Sequence, residues 1–198
     1  MSLRELIQMV LVLTVVTSIC AGGLAAVKLA TKEQIDYQQI KFIKEPALKK
    51  IFTDFDNDPI SDRLQIVTGK DARGREVKTT FFLAKKGGNV TSLAFEASGS
   101  GYGGPIGVMI AIDPKDDLVQ AVAVTTQSET PGLGSKIVDD PDFSAQFAKK
   151  PVSTNFSLAA AGGQVQAISG ATVSSNGVST AVSRGVELYQ NVKPQLGL

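Results

Sequence analysis

The run Ile106-Gly107-Val108-Met109-Ile110-Ala111-Ile112-Asp113 is apolar almost throughout, and the run 118–126 after it alternates valine with alanine. Both runs have the length and the composition of buried β-strands. Pro114-Lys115-Asp116-Asp117 separates them and has the composition of a hairpin turn. The stretch 106–126 therefore predicts two adjacent antiparallel strands.

Further elements are predicted on both sides of this hairpin. Residues 79–84 and 90–97 are rich in apolar and β-branched side chains, and a Lys85-Lys86-Gly87-Gly88-Asn89 turn lies between them. Near the C-terminus, valines at 178, 182 and 186 have the spacing of one helical face. The predicted fold class is α+β: an N-terminal transmembrane helix followed by one domain with an antiparallel sheet packed against helices.

The N-terminal segment Ile7–Ala26 contains no charged residue. As a helix rising about 1.5 Å per residue, it would cross the roughly 30 Å core of a bilayer. A cleaved signal peptide is the alternative, since the run ends in small residues, but the run exceeds the apolar core of such a peptide. Ile19 argues against lipid modification of Cys20. We therefore expect an uncleaved anchor, whose orientation is undecided on charge alone.

The region between the anchor and the first predicted strand is charged, with apolar residues at helical spacing. Pro46 interrupts this pattern, so we predict two helical pieces, at 31–44 and 46–53. The acidic stretch Asp54–Pro59 lacks the glycine and the distal glutamate of a calcium-binding EF-hand loop, and we interpret it as a solvated turn.

The composition excludes several classes of chemistry. The chain has no histidine, and its only cysteine, Cys20, lies within the apolar anchor. Zinc, haem and iron–sulfur sites built by this chain are therefore not expected, nor is cysteine or histidine catalysis. A net charge of +1 gives no electrostatic reason to expect a nucleic-acid partner. If the chain handles electrons, it needs an organic cofactor.

Two glycine-rich stretches break the strand pattern. The first, Gly99–Pro105, is either a long hairpin loop or a place where backbone comes close to a ligand, with Tyr102, Gly103 and Gly104 as candidate contacts. The second, Glu129–Lys136, contains a Pro-Gly pair typical of a type II turn. It is either a rigid connector to a helix near 142–148 or one wall of a site. Its candidate contacts are Glu129, Thr130, Gly132, Leu133, Gly134 and Lys136.

The third stretch is Ser169-Gly170-Ala171-Thr172-Val173-Ser174-Ser175, which follows a short predicted strand at 165–168 and precedes the C-terminal helix. Hydroxyl side chains at a helix start can cap free backbone N–H groups, and the same N-terminus attracts anions. The heptamer is therefore either a well-capped helix start or a phosphate site.

These three motifs, in this order, resemble the G subunit of the Rnf electron-transport complex and its relative, the C subunit of the sodium-translocating NADH:quinone reductase. The most specific parts are Glu129-Thr130-Pro131-Gly132-Leu133-Gly134 and Ser169-Gly170-Ala171-Thr172, and the resemblance runs from about Thr31 to Val192. Gln166 and Gln127 stand where that family commonly has an acidic residue and a histidine. The length of the chain fits the Rnf subunit better.

The resemblance implies a covalent flavoprotein. In that family a separate flavin transferase esterifies the threonine of the Ser-Gly-Ala-Thr motif with the phosphate of FMN, which by position is Thr172. It also implies a single-pass subunit of a bacterial inner-membrane electron-transport complex, with its domain outside the cytoplasm, contacts to other subunits and to lipid, and no catalysis of its own. We accordingly assign residues 1–6 to a tail, 7–27 to the transmembrane helix, 28–60 to a helical linker and 61–198 to the FMN-binding domain. The alternatives are an anchored assembly module without cofactor and a freestanding flavoprotein reductase.

Overall fold

A computed structural model describes residues 3–70 and 74–196. The chain divides at Lys41/Phe42 into two compact units. The first unit contains one long helix, and the second contains a sheet with its helices.

The first unit is dominated by α1, Leu3–Gln39. Its segment Leu3–Lys32 has a mean hydropathy of 2.3 over its most apolar window and is long enough to cross a membrane. Thr14 and Thr17 donate their hydroxyl hydrogens to carbonyls one turn earlier, so these polar side chains are satisfied within the helix. Because α1 continues without a break to Gln39, the first predicted helical piece, 31–44, begins as a continuation of α1 rather than as a separate helix.

The second unit is built on a six-stranded antiparallel sheet whose spatial order follows the sequence. Its strands are β1 Arg63–Lys70, β2 Glu76–Lys86, β3 Asn89–Ser100, β4 Pro105–Asp113, β5 Leu118–Thr126 and β6 Lys150–Pro151. A five-residue π-helical segment, Ile40–Lys44, follows α1. The other helices of the described residues are α2 Glu45–Ile51, α3 Lys136–Asp139, α4 Pro141–Ala145, a short 3₁₀ helix Ala159–Ala161 and α5 Thr172–Leu196. The α+β prediction is confirmed.

Both faces of the sheet are covered by other parts of the second unit. Since successive side chains of a strand point to opposite sides, each strand can contribute to the core on either face. On one face, Phe95 and Ile110 pack in a core that includes Val178, Val182 and Val186 of α5. The predicted valine face of that helix is therefore buried. On the other face, Ala94 and Met109 belong to a second core cluster that contains Leu48 and Ile51 of α2. This two-sided burial explains why the sequence of β4 is apolar without interruption.

The acidic stretch after α2 holds the β2–β3 hairpin. Asn57 accepts the N–H of Lys85 through Oδ1 at 2.7 Å, and Asp56 accepts the N–H of Gly87 at 2.8 Å. Asp54 pairs with Lys86 Nζ at 2.6 Å. The stretch therefore binds the hairpin through two hydrogen bonds and one ion pair, and the interpretation as a solvated turn did not include these contacts.

Candidate functional site

The three motifs meet at one end of the sheet. Gly101–Gly104 forms the β3–β4 loop, the residues Glu129–Gly134 (the 129–134 loop) follow β5, and Ser169–Ala171 (the 169–171 turn) leads into α5. The carboxylate of Glu129 joins them. Its Oε1 accepts the N–H of Gly103 at 2.9 Å, and its Oε2 accepts the hydroxyl hydrogen of Ser174 at 2.5 Å.

Glu129 is a buried acid that remains ionised at neutral pH. Only 6% of the residue is exposed. Burial raises the pKa of its carboxyl group, but hydrogen bonds from Ser174 and from the backbone N–H groups of Gly103 and Tyr102 outweigh that effect and leave the pKa below its ordinary value. The negative charge is therefore stabilised by donors from the other two motifs.

Two glycines make room for this carboxylate. A Cβ atom on Gly134 would lie 2.8 Å from Oε2 of Glu129 and 2.9 Å from Oγ of Ser174. A Cβ atom on Gly101 would overlap Oε1 of Glu129 from the other side. The glycines of both loops thus allow close packing around Glu129.

The 169–171 turn places the start of α5. Ala171 donates its N–H to the carbonyl of Ile168 at 2.9 Å, and Gly170 has φ of +80°. A side chain there would be strained, which accounts for the glycine. A Cβ atom on Gly170 would lie 3.1 Å from Cδ1 of Leu133, so this turn also touches the 129–134 loop. The strand predicted at 165–168 is reduced to one bridge, between Leu158 and Val165.

The hydroxyl groups of the heptamer have different environments. Ser174 and Ser175 are 2% and 0% exposed. Ser174 donates to Glu129, and Oγ of Ser175 accepts the N–H of Ile168 at 3.0 Å. The sequence allowed either serine to cap α5 or to donate to a phosphate, and in the structure both hydroxyl groups have other partners. Ser169 and Thr172 are the exposed pair, and Thr172 is the first residue of the helix.

The N-terminus of α5 is suited to an anion. Its first helical bond runs from the N–H of Ser175 to the carbonyl of Ala171, at 2.9 Å. Within the described part of the chain, the N–H groups of Thr172, Val173 and Ser174 have no acceptor. Since such free donors and the helix dipole favour negative charge, the residues present fit a phosphate carried on Thr172.

Each of the three motifs also exposes one large apolar or aromatic side chain. Tyr102, Leu133 and Val173 are 78%, 46% and 52% exposed, and each belongs to a different one of the three motifs. Exposed side chains of this kind can make contact with a planar aromatic ring.

The 129–134 loop agrees with its prediction except in two details. Leu133 donates its N–H to the carbonyl of Thr130 at 3.2 Å, and Gly132 has φ of +73°, as a type II turn requires. However, the N–H of Gly132 donates to Oγ of Ser135 at 2.9 Å and is not free for a ligand. Lys136 is exposed, and no ion pair among the described residues joins this candidate contact to Glu129.

Sequence reasoning gave no role to two glutamines. Oε1 of Gln127 accepts the backbone N–H of Glu129 at 2.5 Å and so fixes the start of the 129–134 loop. Gln146 binds both the N–H and the carbonyl of Gln166 through its side-chain amide. For the contact of Gln127 with Glu129, the one signal in the sequence was a side-chain amide two residues before Glu129, a spacing at which side chains can bind the backbone.

Comparisons with known proteins identify the family. A family profile described as "FMN-binding domain" matches residues 101–187, which include all three motifs. The G subunit of an ion-translocating oxidoreductase complex from Methanosarcina acetivorans is 32% identical, and the alignment covers 93% of this chain and 94% of the relative. The chain belongs to the family of G subunits of ion-translocating oxidoreductase complexes.

Two other similarities agree with membership of this G subunit family. The G subunit of a Na⁺-translocating ferredoxin:NAD⁺ oxidoreductase complex from Acetobacterium woodii is 27% identical over 92% of this chain and 90% of that protein. The crystal structure of NqrC from Shewanella oneidensis has the same fold, with a TM-score of 0.58 and 18% identity over 82% of this chain and 99% of that one. The predicted resemblance is confirmed.

Proposed function

We propose that this chain is the electron-carrier subunit of an Rnf-type ion-translocating oxidoreductase complex, and that its carrier is FMN joined by a phosphoester bond to Thr172. The observation that carries the attachment site is the position of Thr172, an exposed hydroxyl on the first residue of a helix whose first N–H groups lack acceptors. The FMN-binding domain match and the relatives named as G subunits support the rest.

The ester requires a second enzyme. An unperturbed threonine hydroxyl is a poor nucleophile. The chain has no histidine, the carboxylate of Glu129 is engaged by Gly103 and Ser174, and no hydrogen bond among the described residues joins a base to the hydroxyl of Thr172. A separate flavin transferase therefore removes the proton of Thr172. The new Oγ1–phosphorus bond replaces a phosphoanhydride bond of a flavin dinucleotide, and the nucleotide half leaves.

The residues around Thr172 have separate roles toward the bound group. The N–H groups at the start of α5 stabilise the phosphodiester charge. Exposed Tyr102, Leu133 and Val173 offer apolar contact to the ring, together with the backbone of Gly103 and Gly104, whereas Gly134 is buried against Glu129. FMN itself supplies reversible electron transfer, whose potential depends on these surroundings.

We infer separate roles in a membrane complex for the two units of the chain. We assign α1 as a single-pass anchor in a bacterial inner membrane, because its apolar segment has the required length. The second unit lies on the extracytoplasmic side and faces other redox subunits. The Rnf assignment is preferred to a quinone-reductase C subunit because the identity to the Methanosarcina G subunit is 32%, against 18% for NqrC.

The attachment is tested by fluorescence of the denatured protein. The full chain is co-expressed with a flavin transferase, separated on a denaturing gel and viewed under ultraviolet light. We expect a fluorescent band for the wild type, no band for Thr172→Ala, and an unchanged band for Thr180→Ala, which removes a threonine further along the same helix.

Other outcomes of this experiment identify the alternatives. A wild-type chain without a fluorescent band in the presence of active transferase would contradict the proposal and favour an assembly module without cofactor. Turnover of NADH with a small electron acceptor by the purified chain alone would instead indicate a freestanding reductase.

A further inference from the structure

We propose that Glu129 is the positioning residue for flavin attachment: its carboxylate holds Ser174 and Gly103 and thereby fixes the rotation of the first turn of α5 that presents Thr172 to the transferase. This inference rests on the proposed function, in which Thr172 is the acceptor. It assigns to Glu129 a role in preparing the site rather than a contact with the flavin ring.

The first step of the argument is the connection between elements. One oxygen of the Glu129 carboxylate binds the β3–β4 loop and the other binds α5, while its own backbone continues the chain from β5. A single side chain therefore fixes the relative positions of the three motifs. The backbone N–H of Glu129 is in turn held by Gln127.

The second step concerns the helix. Ser174 lies two residues after Thr172, and two residues correspond to about 200° around an α-helix. When Ser174 points inward to Glu129, Thr172 must point outward, and the structure indeed leaves Thr172 exposed and Ser174 buried. The bond between Ser174 and Glu129 thus selects the rotation that exposes the acceptor hydroxyl.

The third step concerns which hydroxyl is modified. The single hydrogen of the Ser174 hydroxyl is directed to Oε2 of Glu129, and Ser175 is 0% exposed. Glu129 therefore withdraws one competing hydroxyl of the motif from reaction. Thr172 keeps both exposure and the anion-binding N–H groups beside it.

The test measures the initial rate of covalent flavin loading of the purified full chain in detergent, with added transferase and flavin dinucleotide. Glu129→Ala removes the acceptor of Gly103 and Ser174, and we expect loading at least about tenfold slower, since bonds to a charged group are the stronger kind. Glu129→Gln keeps the shape, accepts from Gly103 and donates to Ser174, so it should load within about threefold of wild type. Glu187→Ala removes an exposed glutamate of α5 and is the matched control.

A second readout does not depend on the flavin. In the protein without flavin, the amide hydrogen of Gly103 should exchange faster in Glu129→Ala than in the wild type, because its acceptor is gone, and Glu129→Gln should restore protection. Loading is compared only at temperatures where thermal melts show each variant to be folded. If Glu129→Ala does not fold, Ser174→Ala decides instead, with loading expected to be several-fold slower.

The outcomes separate this inference from the proposed function. Covalent loading of Thr172→Ala would refute the acceptor assignment itself. Wild-type loading rates in folded Glu129→Ala, or in folded Ser174→Ala where that variant decides, would overturn the positioning role while leaving Thr172 as the acceptor. A rate for Glu187→Ala as low as that for Glu129→Ala would also overturn it.

Discussion

Glu129 and Thr172 show how two residues of one site can have opposite environments. The carboxylate is buried and stabilised by three donors, whereas the hydroxyl is exposed beside free N–H groups. A buried charge without such donors would be strongly destabilising. The buried acid belongs to the framework of the site, and the exposed hydroxyl is the proposed acceptor of the flavin phosphate.

The ionised state of Glu129 predicts a pH dependence of folding. Because hydrogen bonds hold its pKa below the ordinary value of 4.5, Glu129 stabilises the folded domain at neutral pH, and this contribution is lost as pH falls through the folded pKa. In Glu129→Gln, the free energy of unfolding should fall less between pH 7 and pH 3 than in the wild type. Urea denaturation at a series of pH values measures the difference, and identical pH profiles would contradict this account.

Helix α5 is fixed at both of its ends. Its start is held through Ser174, and near its other end Tyr189 donates its hydroxyl hydrogen to Asp117 in the β4–β5 turn at 2.8 Å. Lys193 pairs with the same carboxylate at 2.6 Å. Burial and the Asp117 carboxylate raise the pKa of Tyr189, which therefore remains a donor. The proposed attachment site is thus carried on a helix that cannot easily shift along the sheet.

The bond at the far end of α5 predicts the effect of Tyr189→Phe. This change keeps the buried ring but removes the hydroxyl, and we expect a loss of about 1 kcal/mol in the free energy of unfolding. Asp116→Asn, at the exposed neighbour of Asp117, should have no measurable effect. Chemical denaturation of both variants provides the comparison. Equal stability of Tyr189→Phe and wild type would show that the bond contributes nothing.

The close approach of α5 to β3 depends on glycine. A Cβ atom on Gly99 would overlap the carbonyl oxygen of Gly177 in α5, which is backbone and cannot rotate away. Gly99→Ala should therefore lower the free energy of unfolding by about 1–3 kcal/mol. A Cβ atom on Gly69 in β1 would meet only open space, so Gly69→Ala should be nearly neutral. Similar melting temperatures for the two variants would argue against tight packing at this crossing.

Most elements could be predicted from local patterns, and the failures have physical reasons. Strands β2 to β5 and helix α5 follow apolar periodicity and turn composition. Strand β1 was missed because its sequence, Arg63–Lys70, mixes polar and apolar residues at the exposed sheet edge. The motif residues could be listed from sequence, but the bridge from Glu129 to Ser174 joins residues 45 positions apart and no local pattern encodes it.

At the level of the complete chain, the anchor and the domain have separate structural requirements. The apolar part of α1 is exposed along its length and is long enough to cross a membrane, while the second unit has its own two core clusters. The proposed topology places that second unit outside the cytoplasm.

The topology is accessible to labelling because the domain lacks cysteine. In a chain with Cys20→Ser and Lys115→Cys, the new thiol lies on the exposed β4–β5 turn. A membrane-impermeant maleimide added to intact cells with a permeable outer envelope should label it without lysis. Labelling only after lysis would place the domain in the cytoplasm.

The most direct test of flavin attachment is mass spectrometry of the tryptic peptide Lys150–Arg184, which contains every hydroxyl of the 169–175 motif. The peptide is taken from the full chain made together with an active flavin transferase. We predict that the peptide carries one FMN phosphoester and that fragmentation places it on Thr172. An unmodified peptide, or an adduct on any other residue, would contradict the central claim.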